Sequence, residues 1–418
     1  MSPGPAVLGV APLTATGALL VALAASLVAA AGGGALAVRR ARTHGRVAVG
    51  DLVVGTVAGG GLVLALVLVA QPLIGLDVWG VAHVAYRLAV VGLPVGALVV
   101  LAVVVGDRRD ARRRAGAAGA EGSRPSAPRD GTGRASSVTG PAVAVLALGV
   151  LVGPVGWWAS TVAPDRLEVQ EPTVALVGRA GREPLRIGVL ADLQTRSVGP
   201  HEQEAVDRLL AARPDLILVP GDVYQGDPGS LPDQLGALHS LLGRLHAPGG
   251  VYVVQGDFDP PGQLAQIFAG TDARLLRDEV VHLDVRDRRV TLAGLDLDVW
   301  TPSAAAALAG LDADRGGDDI RIVVAHRPDA VLRLPVPTRV DLVVAGHTHG
   351  GQISLPVLGP PLTLSAVPRP VAAGGLHEVD GRRIFVSKGV GMERGQAPPV
   401  RLGVTPDIGI ITLASSPS

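Results

Sequence analysis

The stretch Leu342-Val343-Val344-Ala345-Gly346-His347-Thr348-His349-Gly350-Gly351-Gln352 decides how this chain is read. Four aliphatic residues in a row predict a short buried strand, and the glycine after them marks a turn at its end. Two histidines then follow two residues apart, bracketed by glycine, where each is placed to serve a different ion of a metal pair. A lone histidine on an apolar strand end is ordinarily a satisfied core residue. A glycine-bracketed pair resists that reading.

The same pattern recurs along the chain. A predicted strand at Leu185–Leu190 runs into Asp192-Leu193-Gln194, and one at Leu216–Val219 into Gly221-Asp222. A third, Val251–Val254, precedes Gly256-Asp257-Phe258-Asp259, and a fourth, Ile320–Ala325, precedes His326. Amphipathic helices are predicted over His201–Ala212 and Leu231–Leu245, and later strands over Ile384–Ser387 and Ile408–Leu413. A βαβαβ opening followed by strand-rich sequence with hairpins predicts an α/β layered domain with mixed β-sheets. In open α/β sheets the ligand crevice lies beyond the carboxyl ends of the strands, so five loops bring carboxylates and imidazoles to one edge.

That edge reads as a metal site. Asp192 and Gln194 are expected in extended chain, where residues two apart project to the same side. Asp222 has two carboxylate oxygens and is able to bridge cations about 3.5–4 Å apart. The chain has no cysteine, so thiolate ligands and disulfides are excluded, and an oxygen and nitrogen ligand set suits Mn²⁺, Fe, Zn²⁺ or Mg²⁺. Taken singly, the other polar residues read more blandly. Asp259 is expected to cap the next helix, His239 and His246 to share one helix, and His201 to sit at a helix start. His282 and His377 fall in hairpins. Lys388, the one lysine, and Arg401 are expected to meet a substrate phosphate.

The ordered series resembles the calcineurin-like metallophosphoesterases, whose pattern is D-x-H, G-D, G-N-H-D, H and G-H-x-H, over about 184–413. Gly346–Gln352, Ala325-His326-Arg327-Pro328-Asp329 and Val386-Ser387-Lys388-Gly389-Val390-Gly391 are similar to its membrane-associated branch. The resemblance implies two divalent cations. One would be held by Asp192, Gln194, Asp222 and His349, the other by Asp222, Asp257, His326 and His347. It implies a metal-dependent phosphoesterase that uses a dimetal-activated hydroxide on a phosphomonoester or phosphodiester, such as a lipid headgroup or envelope precursor. Three residues depart from the pattern. Gln194 replaces a histidine ligand, and Asp257 replaces asparagine and adds a negative charge. Phe258 replaces the histidine that the family uses at the leaving oxygen. The alternative is a pseudo-phosphoesterase serving as a metal- or phosphate-binding sensor or scaffold.

The first 164 residues read differently. The whole chain is 48% hydrophobic and only 2% aromatic, with a mean hydropathy of +0.39. No charged residue occurs over 1–38, 52–76, 88–106 or 135–164, and about 20 apolar residues suffice to cross a bilayer. Four transmembrane helices are expected, as a passive anchor for the domain from residue 165 to 418, since these runs hold no acidic or basic side chain. Arginines crowd the connection at 39–46 and the linker at about 107–137. By the positive-inside rule both are cytoplasmic, which puts the C-terminal domain outside a multi-pass cell membrane. Trp157 and Trp158 suit the interface. Partners are thus the lipid bilayer and a phosphoester substrate. Net charge is +0, which gives no field for nucleic acid.

Overall fold

The computed structural model describes residues 78–92, 140–177, 183–227, 229–259, 262–313 and 319–416, with a few positions between 94 and 116. The first two predicted spans and most of the third and of the basic linker lie outside these residues. The chain divides into two compact units, Met1–Trp158 with Gly395–Pro398, and Ala159–Arg394 with Pro399–Ser418.

In the first unit, helix α1 spans Val78–Arg87 and runs into a π-helical turn at Leu88–Gly92. Helix α2, Gly140–Thr161, carries no charged residue and falls within the fourth predicted span. Its side chains are described at Ala147 and from Gly149 onward. The Tyr86 hydroxyl donates to the Gly156 carbonyl at 3.3 Å, which ties α2 to α1. Among the described residues no helix is long and apolar enough to cross a membrane.

The second unit has two facing sheets. The first runs β1 (Glu168–Gln170), β13 (Asp407–Ser416), β3 (Leu185–Val189), β4 (Leu216–Val219), β5 (Val251–Val253), β6 (Ala273–Leu275), with β2 (Thr173–Val177) also on β13. The second runs β11 (Gly375–Val379), β12 (Arg382–Val386), β10 (Leu342–Ala345), β9 (Ile320–Val324), β8 (Arg288–Gly294), β7 (Glu279–Val285). Strands β3 to β6 are mutually parallel, as are β8, β9, β10 and β12. Hairpin partners β7 and β11 and the pair β13–β3 are antiparallel. The sheets are mixed, as expected.

The period of two explains why β4 is apolar throughout. In β4, Leu216 and Leu218 join the inter-sheet core with Leu292, Ile322, Val344 and Phe385. Ile217 and Val219 face the other way, onto helices α3 (Pro200–Ala211) and α4 (Leu231–Leu242), through Leu209, Leu238 and Leu242. Both faces of β4 are covered, which suits its run of four aliphatic residues. Each such side chain contributes about 1.5–3 kcal/mol of burial.

Two expectations need correction. Helix α4 ends at Leu242, because Gly243 and the turn bonds of Arg244 and Leu245 close it. His246 therefore lies off the helix that carries His239. The short strands β1, β2 and β6 carried no pattern of their own and lie toward the ends of their sheet.

Candidate metal centre

Because β3, β4 and β5 are parallel in one sheet and β9, β10 and β12 in the other, each strand of a set ends on the same edge as its neighbours. Asp192, Asp222 and Asp257 follow the first three, and His326 and His347 follow β9 and β10. Two groups of ligand atoms result, each within 4.8 Å of one another: Asp192, Asp222 and His326, and Asp257, His326 and His347. His326 Nε2 lies 3.4 Å from Asp222 Oδ2 and 3.3 Å from Asp257 Oδ2, and His347 Nδ1 lies 2.8 Å from Asp257 Oδ2. His349 Nε2 stands further off, 3.9 Å from Asp192 Oδ1.

The backbone is not extended here, contrary to the expectation for Asp192 and Gln194. Their φ angles are 48° and 36°, and those of Asp222, His347 and His349 are 54°, 72° and 49°. Five of the twelve non-glycine residues at positive φ in the described chain are thus site residues. Such strain persists only where the surroundings enforce it. The Asp192 and Gln194 amides donate to the Gly221 and Asp222 carbonyls, and the His347 amide donates to the Asp192 carboxylate at 3.0 Å. Neighbouring chain comes so close that a side chain at Gly346 would collide with Asp192, and one at Gly256 with Asp222.

Ring orientation separates the histidines. His326 Nδ1 faces the Pro220 carbonyl at 2.7 Å and must donate to it, so the neutral ring has its lone pair on Nε2, toward the carboxylates. A backbone carbonyl behind the ring is how metal-ligating histidines are usually fixed. His347 is set the same way, with Nε2 facing the Leu364 carbonyl at 3.2 Å and Nδ1 on Asp257. His349 is not. The Arg401 guanidinium lies 3.1 Å from its Nδ1, and arginine only donates, so the neutral ring carries its proton on Nε2.

Gln194 donates from Nε2 to Asp222 Oδ2 at 3.0 Å and to Glu393 at 3.3 Å. Its Oε1, His326 Nε2 and His349 Nε2 are buried without a hydrogen bond. Orphaned polar atoms at the centre of a carboxylate cluster are what a cation site requires, and these residues fit one. The Asp257 group is the better prepared, since a carbonyl behind each of its histidines turns the other ring nitrogen toward the carboxylate.

The charges support that fit. Burial alone would strip His326 of its proton, yet Asp222, Asp257 and Asp192 push it up to about 10. Burial, opposed by His326 and reinforced by Asp222, lifts Asp192 to about 8. Burial also acts on Asp257, but the adjoining His326, His347 and Arg327 hold it well below the usual carboxylate range. Burial and the Arg401 charge keep His349 neutral. In the absence of a cation the cluster thus holds protons, on Asp192 and on His326, where a cation would sit.

Sequence reasoning missed several residues. Arg327 grips Asp257 from both Nε and Nη2, so the extra charge at position 257 is matched by a guanidinium. It stands directly after His326 in the sequence, which was the available sign. Asp259 does not cap a helix. Its carboxylate accepts from the Asp222, Val223 and Gly256 amides at 2.7, 3.0 and 3.0 Å. Glu393, 199 residues from Gln194, left no local trace. Arg401 is wholly buried and donates to the His349, Lys388 and Gly391 carbonyls, so it braces the centre from behind rather than meeting substrate. Lys388 Nζ is paired with Glu168 at 3.1 Å and Asp407 at 3.5 Å. His201 faces the Val390 carbonyl, His282 the Thr291 hydroxyl and His377 the Gly374 carbonyl.

Beside the centre lies a cavity of about 190 Å³, lined by Leu297, Asp298, Trp300, Arg327, Asp329 and Leu364 among others. The Arg333 guanidinium lies 4.4 Å from the centroid of the Trp300 ring.

A two-sheet α/β domain with acidic residues and histidines at its strand ends defines a metal-dependent phosphoester hydrolase. The profile of the calcineurin-like phosphoesterase family matches residues 185–351. The chain is 31% identical over 211 residues to the uncharacterized metallophosphoesterase YkuE of Bacillus subtilis (strain 168), covering 49% of this chain and 70% of that one. Phosphodiesterase YaeI of Escherichia coli (strain K12) is 27% identical, over 55% of this chain and 82% of its own. A Bos taurus protein named as a transmembrane protein with a metallophosphoesterase domain is 26% identical, over 66% of this chain and 63% of its own. The chain belongs to the calcineurin-like phosphoesterase family and is a hydrolase of phosphoester bonds.

Proposed function

We propose that this chain is a membrane-anchored phosphoesterase that opens a phosphomonoester or phosphodiester at the outer face of a cell membrane. The observation that carries it is the joint orientation of His326 and His347, whose ring nitrogens meet Asp222 and Asp257 in one cluster. One or two divalent cations there would supply Lewis acidity to a phosphoryl oxygen and lower the pKa of water at neutral pH. Asp222, Asp257, His326 and His347 would hold the first, and Asp192, Gln194 and Asp222 the second, with His349 joining when Arg401 releases its Nδ1.

The chain's own groups do the rest. Arg327 is fixed by Asp257 through Nε and Nη2, and among the described residues its Nη1 has no partner, so it is free to take a phosphate oxygen. The adjoining cavity receives the organic part of the ester. Phe258 carries no proton for the leaving oxygen, so esters with good leaving groups are favoured. The charge-free runs of the first 164 residues support the anchor, and the arginine-rich loops support an extracytoplasmic domain.

A second reading rests on the same Phe258 together with Gln194: a pseudo-phosphoesterase that binds metal or phosphate as a sensor or scaffold. One experiment separates them. The detergent-solubilised full chain is assayed on an activated phosphodiester with Mn²⁺, Fe²⁺, Zn²⁺ and Mg²⁺ in turn. Turnover with any of them that vanishes in Asp222→Asn supports the enzyme. Bound metal without turnover under any ion selects the scaffold.

A further inference from the structure

The segment after the histidine turn carries no charged residue from 350 to 368. Most of its aliphatic side chains are turned outward, Val367 excepted. Leu355 is 40% exposed, Val357 106%, Leu358 74% and Leu362 55%. Reciprocal hydrogen bonds between Leu355 and Gly359, at 3.0 and 2.9 Å, close a tight tip with Val357 and Leu358 at its end. Val357 has a φ of 69°, a conformation that is a genuine outlier for a β-branched residue. Pro356, Pro360 and Pro361 stiffen the segment. An aliphatic wedge held in a strained shape, with its side chains in water, needs an occupant for that face.

Both ends of the wedge are fixed at the metal centre. On one side the Ser354 amide donates to the Leu402 carbonyl at 2.8 Å, and the neighbouring Arg401 amide donates to the Ala159 carbonyl at 2.8 Å. Ala159 lies in the last turn of α2, in the fourth charge-free run. On the other side the Leu364 carbonyl faces His347, and Ser365 and Ala366 are held by Asp329 at 2.8 Å each. The wedge thus springs from beside the metal-ligating histidines and from chain next to the Arg401–Ala159 contact.

We infer that the 355–362 wedge inserts into a lipid bilayer, and so holds His347 and His349 at headgroup level. The inference rests on the membrane-anchored reading. Leu and Val are poor anchors for a protein partner, whose hot spots are dominated by Trp, Tyr and Arg. The absence of charge over nineteen residues offers nothing to a polar surface, whereas acyl chains accept bare aliphatic groups without penalty. A phosphoester carried by a lipid would then reach the centre without leaving the membrane surface.

The chain lacks cysteine, so single nitroxide labels can be placed without background. The full chain is reconstituted into phosphatidylcholine–phosphatidylglycerol bilayers, with labels at Val357→Cys and Leu362→Cys and at Arg289→Cys, the exposed position of β8, as the aqueous control. Collisions with oxygen are compared with those with a water-soluble nickel chelate. The expected result is a reversal: oxygen dominates at 357 and 362, the chelate at 289. Equal chelate access at all three positions overturns the inference. So does spin–spin broadening between copies at 357, which would assign the wedge to a second chain. Flotation with vesicles is scored separately, so a chain that floats with a water-exposed wedge refutes the wedge alone, and a chain that does not float refutes the anchor and the wedge with it.

Discussion

Asp259→Ala should loosen the loops that carry two of the metal ligands. The buried Asp259 carboxylate accepts three amide hydrogens, two from the Asp222–Val223 turn and one from Gly256. Leaving three buried N–H groups unpaired costs about 1–3 kcal/mol each, and a little under 2 kcal/mol apiece gives roughly 5 kcal/mol in total. The carboxylate is itself disfavoured, since burial and Asp222 raise it from 3.8 to about 6. Removing that disfavour offsets about 2–3 kcal/mol at neutral pH. The net loss of about 2–3 kcal/mol corresponds to a fall of roughly 5–10 °C in Tm for a domain of this size. Asp259→Asn should cost about nothing, because its amide oxygen can take both bonds that Oδ2 accepts, only the Val223 amide is stranded, and the same buried charge is removed. The assay is thermal melting of the full chain in detergent, with metal content by elemental analysis on the same samples. Equal melting of wild type and Asp259→Ala, or metal content unchanged in Asp259→Ala, would refute the view that this carboxylate clamps the ligand loops.

Two further outcomes follow from the geometry. In the metal-stripped chain, Asp192 is raised from 3.8 to about 8 and His326 from 6.5 to about 10. The unfolded state therefore loses its Asp192 proton first as pH rises from about 4 to 8, and the stability that protonated His326 supplies is lost between about 6.5 and 10. Both make the stripped protein weaker with rising pH, while a cation replaces those protons. The gap in Tm between Mn²⁺-loaded and chelator-treated protein should widen from about pH 6 to about pH 9; a constant or narrowing gap contradicts the assignment. Phe258→His places an imidazole on a backbone already fixed by the Phe258 amide, which donates to Asp222 at 2.7 Å. Turnover of an alkyl phosphoester should rise roughly 10- to 100-fold, and that of a nitrophenyl ester far less. Equal gains on both would show that proton donation is not what Phe258 lacks.

Several parts of this protein follow from local sequence. Runs such as Leu216–Val219 and Leu342–Ala345 are buried on both faces, so the composition of a few consecutive residues sets them as central strands. A ligand placed just after such a strand is carried to a shared edge by parallel order, which is why Asp192, Asp222, Asp257, His326 and His347 could be named together. The short strands β1, β2 and β6 left no such mark, since three to five residues at a sheet margin show little periodicity.

What the residues do at that edge was decided by contacts far apart in the chain. The Pro220 carbonyl turns the His326 ring, 106 residues away, and Arg401 sets the proton of His349 from 52 residues away. Glu393 orients Gln194 across 199 residues. Asp192 and Gln194 converge through left-handed backbone forced by neighbouring loops, where an extended chain had been the natural expectation. The identity of a ligand is a property of one residue, and the sequence alone determined it. Its tautomer, charge and reach depend on which donors and carbonyls surround it, and only the packed tertiary structure brings those within hydrogen-bonding distance.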